Sequence, residues 1–86
     1  MSNRILYETE ILKLDKNNYK EILDKKIHLY IKREDLGKTE FIGIIRKVNF
    51  ETFPPHKIFD IILEDEKDNK MISFGIVGIN RIELKE

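Results

Sequence analysis

The chain has 86 residues, enough for one domain with a single modest core, since folding at this size hides roughly 60% of the unfolded surface. Sixteen Lys and Arg balance sixteen Asp and Glu, and charged residues make up 37% of the sequence, so the surface is well solvated but lacks the net basic charge of a duplex-DNA or polyphosphate binder. With no cysteine there is no disulfide framework, zinc knuckle or thiol nucleophile; without a leader-like apolar core or a run near ~20 apolar residues, a soluble, cytoplasmic protein is expected.

The first fifteen residues form an N-terminal extension whose state the pattern leaves open. Ile5, Tyr7, Thr9 and Ile11 alternate as in a strand, while Leu6, Glu10 and Lys13 suit a helical face about as well. A strand is preferred because the β-branched and aromatic residues then share one face. Asp15 is placed to N-cap a short helix over residues 16–25, in which Tyr19, Ile22 and Leu23 fall on one side and Lys16, Lys20, Glu21 and Lys25 face away. A helix this short is marginal alone and has to pack on the rest of the domain.

From Lys26 the period changes to two. Ile27, Leu29 and Ile31 alternate with His28, Tyr30 and Lys32, which predicts a strand with one buried face. Residues 33–38 read as a polar hairpin with Gly37 supplying positive φ. A long strand from Thr39 to Phe50 has Gly43 at its middle, where a strand glycine marks a bend or a close backbone approach. A strand from Lys57 to Glu64 is apolar on both faces, and the polar segment 65–70 turns the chain into a short strand from Met71 to Gly75 with Ile72 and Phe74 as its inward pair. Gly75 and Gly78 bracket a tight connection into a last strand containing Ile79, Ile82 and Leu84. The expected fold is mainly β: a helix over 16–25 and then, over 26–86, a five-stranded, bent, antiparallel barrel, in which strands apolar on both faces serve both halves of a sheet that folds over on itself.

The runs Ile27 to Ile31, Phe41 to Ile45 around Gly43, Ile61 to Asp65, and Ile72 to Ile76 followed by Ile79 to Ile82 resemble Sm-like, SH3-like small barrels. The closing pattern of Ile72, Phe74, Ile76 and Ile79 is also similar to the YolD-like family of Gram-positive bacteria and their phages. The resemblance spans residues 20–84 and implies a non-enzymatic binding module; edge strands apolar on both faces invite pairing with a neighbour, so a homo-oligomer is expected. Sm proteins hold uridine with an Asp-x-x-x-Asn loop and an Arg-Gly pair. Here residues 49–56 replace that loop and Ser73, Phe74 and Gly75 stand where Arg-Gly would lie, so no conventional U-tract site is implied.

Two segments stand out as binding surfaces. In residues 49–57, Phe50 and Phe53 are placed to stack on a base, with Arg46, Lys47, Asn49, His56 and Lys57 around them to meet phosphate. Alternatively the two phenylalanines cap the barrel end or lie in a subunit interface. In residues 75–81, backbone amides between Gly75 and Gly78, beside Asn80 and Arg81, offer an anion site; a plain tight turn is the other reading. His28 and His56 lie apart and have no cysteine to join them, so no metal site is expected, and residues 64–68 lack the glycine and terminal glutamate of a calcium loop. No catalytic constellation or cofactor motif is recognisable. The expected ligand is nucleotide-containing, either single-stranded RNA or a small nucleotide, and a phage protein that sequesters a host nucleotide signal fits this size. The alternative is a protein-binding adaptor or inhibitor that presents Phe50, Phe53 and Tyr30 to a partner.

Overall fold

The period-two pattern that begins at Lys26 continues to Leu84 as an antiparallel sheet, and the N-terminal segment fills the hollow that this sheet leaves. The computed structural model describes residues 4–33 and 37–85. In chain order the elements are β1 (Arg4–Tyr7), α1 (Glu8–Ile11), a 3-10 turn at Tyr19–Glu21, β2 (Lys26–Ile31), β3 (Glu40–Phe50), β4 (Ile58–Asp65), β5 (Met71–Gly75), a 3-10 turn at Ile76–Gly78 and β6 (Ile79–Leu84). The sheet order is β1-β6-β2-β3-β4-β5, every neighbouring pair being antiparallel. Five strands lie within 26–86 as predicted, and the N-terminal strand that the pattern favoured adds a sixth, but pairing does not close the sheet, so the fold is an open, curled sheet where the sequence predicted a barrel.

Gly43 explains much of the curl. The first part of β3 pairs with β2, from Tyr30 opposite Glu40 to Lys26 opposite Ile44, while the stretch from Gly43 onward pairs with β4, from Gly43 opposite Asp65 to Phe50 opposite Ile58. One long strand therefore serves two hairpins. Register shifts between Ile45 and Lys47 and between Asn49 and Phe50 increase the twist of its second half. The rings of Phe41 on β3 and Phe74 on β5 meet edge to face with centroids 4.9 Å apart.

The core lies inside this curl. Ile27, Leu29, Ile45, Ile61, Leu63, Ile79, Ile82 and Leu84 point inward from the sheet, joined by Leu6, Ile11, Leu14 and Ile22 from the N-terminal segment. At roughly 25 cal/mol per Å² of apolar surface removed from water, these aliphatic side chains are the main favourable contribution to folding.

Two N-terminal expectations change. Residues 4–14 are both predicted states in succession, strand Arg4–Tyr7 and then helix Glu8–Ile11. The buried residues are Leu6, Ile11 and Leu14, while Ile5, Tyr7 and Thr9 are exposed, so of the alternating set expected to share a face only Ile11 is buried. The helix over 16–25 is replaced by the single 3-10 turn. Asp15 does cap an amide, its carboxylate accepting from Asn17 N–H at 2.8 Å, but Asn18 Oδ1 accepts from Asp15 N–H at 2.7 Å in return. Such Asp and Asn side chains bond local backbone in non-helical conformations, and Asp24 leaves the segment with φ of 60°. In the 33–38 hairpin, residues 34–36 lie outside the described residues; Gly37 has the predicted positive φ, 76°.

Candidate aromatic interface and adjoining groove

The loop between β3 and β4 is held from both of its ends and from below. Glu51 N–H donates to Lys57 C=O at 2.8 Å, and His56 N–H donates to Phe53 C=O at 3.0 Å. His56 adopts φ of 57°, a left-handed conformation that a histidine rarely takes, and its Nδ1 donates to the Glu51 carbonyl at 3.1 Å. The N-terminal segment props the loop: Lys16 N–H donates to His56 C=O, Ile58 N–H donates to Leu14 C=O, and Asp15 forms a β-bridge with Lys57. Phe50 is half-buried with its ring edge to face on Tyr19, centroids 5.2 Å apart. Loop shape is thus fixed by backbone bonds to a distant part of the chain as well as by Pro54 and Pro55.

This bracing leaves two aromatic rings in solvent. Phe53 is 79% exposed and Phe59, on β4, is 61% exposed. Together with Phe50, Glu51 and Thr52 they line a shallow depression of about 330 Å³. Its charged lining residue is Glu51, whose carboxylate has no ion-pair partner among the described residues. Phe59 was not singled out by sequence reasoning. Its signal is the apolar pair Ile58-Phe59: one strand position cannot bury both side chains, and Ile58 takes the core place.

The other predicted residues divide between this end and the outer sheet face. Asn49, Asp60 and Gly75 form one row across β3, β4 and β5, with Asn49 Nδ2 donating to Asp60 Oδ1 at 2.6 Å. Hence Asn49, Phe50, Phe53, His56, Lys57 and Gly75 share one end of the sheet. Lys47 and Lys57 are exposed. Arg46 sits at the bulge of β3 and points to acidic neighbours, with Nε on Glu64 at 2.9 Å and an Nη on Asp24 at 3.8 Å. Arg81 lies on β6 with its guanidinium 3.7 Å from the centre of the Tyr30 ring and Nε 3.4 Å from Glu83. Asn80 is exposed beside it. Neither arginine joins the aromatic end.

Arg81 belongs to a ladder on the outer face. Tyr7, Arg81, Tyr30 and Glu40 stand opposite one another across β1, β6, β2 and β3. The His28 ring stacks on Tyr30 at 4.3 Å and its Nε2 lies 2.9 Å from the Glu40 carboxylate. With Nε2 donating to Glu40, Nδ1 accepts from the Tyr30 hydroxyl at 3.3 Å. His28 is therefore a partnered surface residue.

Gly75 and Gly78 also border a second groove of about 330 Å³, which runs along β5 and is floored by Ile31, Phe41, Ile72 and Phe74. Neither glycine has a positive φ, and a Cβ at either position would meet nothing within 4 Å. Gly78 C=O accepts from Lys32 N–H at 2.9 Å, tying the 3-10 turn to the end of β2. Among the described residues no group of three or more His, Asp or Glu side chains is placed to hold a metal ion, and no helix is long and apolar enough to cross a membrane. No family model, curated protein or solved structure matches the chain.

Proposed function

We propose that the chain is a non-catalytic protein-binding module whose contact surface is the Phe53–Phe59 end of the sheet. One observation carries this reading: two large aromatic rings, Phe53 on a loop braced by backbone hydrogen bonds and Phe59 at the start of β4, are held in solvent and line one depression. Exposing them forgoes burial energy in the free protein, and rigid aromatic anchors on a pre-ordered loop lower the entropic cost of binding. Glu51 at the rim suits a partner segment that pairs an apolar anchor with a basic residue.

The Sm-like path of the chain is part of this proposal. It is supported by the bend at Gly43, by a single strand serving two hairpins, and by the short β5 that leads through a 3-10 turn into β6. A nucleotide ligand at the same end would need cations free to meet phosphate. Arg46 is committed to Glu64 and Asp24 and Arg81 to Tyr30 and Glu83, which leaves Lys47 and Lys57 as the exposed cations; the charged residue that lines the depression itself is Glu51, which favours a protein partner over phosphate.

Selection of displayed peptides on the immobilised chain tests the choice. The expected result is a set of peptides with an apolar anchor beside Lys or Arg that no longer bind Phe53→Ala or Phe59→Ala. A nucleotide that raises the melting temperature of the wild type, with the rise lost in Phe53→Ala, would overturn it.

A further inference from the structure

The sheet has two edges, and they are guarded differently. β1 is four residues long, begins with Arg4, whose guanidinium reaches Glu21 at 3.6 Å, and turns directly into α1. Short length and charge are the usual protections of an edge strand. β5 has neither charge, proline nor bulge in its five residues, Met71 to Gly75.

The backbone of β5 shows which groups are free. Asp65 N–H donates to Lys70 C=O at 2.8 Å, so Asp65 and Lys70 form a hydrogen-bonded pair at the hairpin end. Antiparallel pairing alternates, and in the register of this hairpin Leu63 with Ile72 and Ile61 with Phe74 are then the next hydrogen-bonded pairs. Met71, Ser73 and Gly75 therefore direct both N–H and C=O away from β4. All three are exposed, and of their outward groups only Gly75 C=O is engaged, as the N-cap carbonyl that accepts the first bond of the 3-10 turn Ile76–Gly78.

We propose that β5 is the pairing edge of a two-fold symmetric dimer, in which a second copy of this chain adds its own β5 antiparallel. The free groups are self-complementary. With the two-fold axis at Ser73, Ser73 faces Ser73 of the second copy and Met71 faces its Gly75, so the N–H groups of Ser73 and Gly75 meet the free C=O groups of Ser73 and Met71 and four hydrogen bonds form. The same register sets Ile72 opposite Phe74 of the second copy, so apolar side chains cover the groove beside β5 from both sides. Lys70 falls opposite Ile76, away from the other Lys70. A chain of zero net charge adds no long-range repulsion. This edge involves neither Phe53 nor Phe59, so it stands independently of the aromatic-end reading.

Sedimentation equilibrium of the wild type across the micromolar range tests the proposal, together with amide exchange read residue by residue. The expected result is a monomer–dimer equilibrium in which the amides of Ser73 and Gly75 gain protection with concentration, while those of Ile72 and Phe74 are protected throughout. Ser73→Pro removes an outward N–H and no bond to β4, so it is expected to stay folded and to weaken the dimer at least about tenfold. Ser73→Lys sets like charges opposite each other at the axis. It is expected to weaken the dimer at low salt and to recover at high salt, and it decides the matter if Ser73→Pro unfolds. A wild type that sediments as a monomer throughout would overturn the proposal. So would a dimer that persists unchanged in a folded Ser73 variant, or the same two amides protected only by a foreign extended peptide.

Discussion

A Cβ placed on Gly43 would overlap the carbonyl oxygen of Glu64 on the neighbouring strand, with the Glu64 carbonyl carbon 2.9 Å and the Asp65 Cα 3.2 Å away. The obstacle is backbone on both sides, so no side-chain rotation relieves it. Gly43→Ala is expected to push β3 and β4 apart where the sheet bends and to cost about 1–3 kcal/mol. Gly78→Ala, at a position with open space, is expected to stay within about 0.5 kcal/mol. Urea unfolding of the two variants checks the contrast, and equal midpoints would count against a close approach at Gly43.

The stack of Arg81 on Tyr30 predicts an energetic coupling. The guanidinium lies over the ring on a partly exposed face, where a cation–π contact is worth about 0.5–1 kcal/mol. A double-mutant cycle with Tyr30→Leu and Arg81→Gln is expected to return a coupling of that size, because leucine keeps most of the apolar area and glutamine keeps most of the stem. A coupling near zero would mean that the two side chains are neighbours without mutual stabilisation.

Asp65 is the buried charged residue of the core boundary. Its Oδ1 accepts from Lys67 N–H at 2.8 Å and its Oδ2 lies 3.7 Å from Lys38 Nζ. Asp65→Ala leaves the Lys67 amide without its acceptor and is expected to cost about 1–3 kcal/mol. Asp65→Asn keeps an oxygen at the same place and is expected to cost less. Thermal melting of both variants compares them, and equal losses would show that the charge contributes more than the hydrogen bond.

Stability and recognition are expected to separate cleanly by position. Ile82, fully buried on β6, is expected to lose about 2–5 kcal/mol on change to alanine. Phe53→Ala and Phe59→Ala remove exposed rings and are expected to change stability by less than about 0.5 kcal/mol. Chemical denaturation measures all three. A large loss at Phe53 or Phe59 would assign those rings to the fold.

Much of the sheet was legible because a half-buried strand repeats every two residues. The strand from Met71 to Gly75 lies where predicted, and the strands around Gly43 and Ile61 differ by about one residue at their ends. The N-terminal segment was not legible. Tyr19, Ile22 and Leu23 carry helical spacing, yet Asp15, Asn17 and Asn18 exchange local hydrogen bonds that hold a turn, and a spacing rule does not weigh that competition. The aromatic loop was recognisable from its composition. Its bracing by Leu14, Asp15 and Lys16 was not, because those contacts join residues some forty positions apart. The basic residues grouped by sequence proximity separated in space because Arg46 and Arg81 found acidic and aromatic neighbours on adjacent strands.

The most direct test of the proposed function is calorimetric titration of a peptide selected on the wild-type chain into the wild type and into the Phe53→Ala/Phe59→Ala double variant. The predicted result is a loss of affinity of at least about tenfold, ~1.4 kcal/mol, with the melting temperature of the variant unchanged. Equal affinity for both proteins would contradict the assignment of this aromatic end as the binding surface.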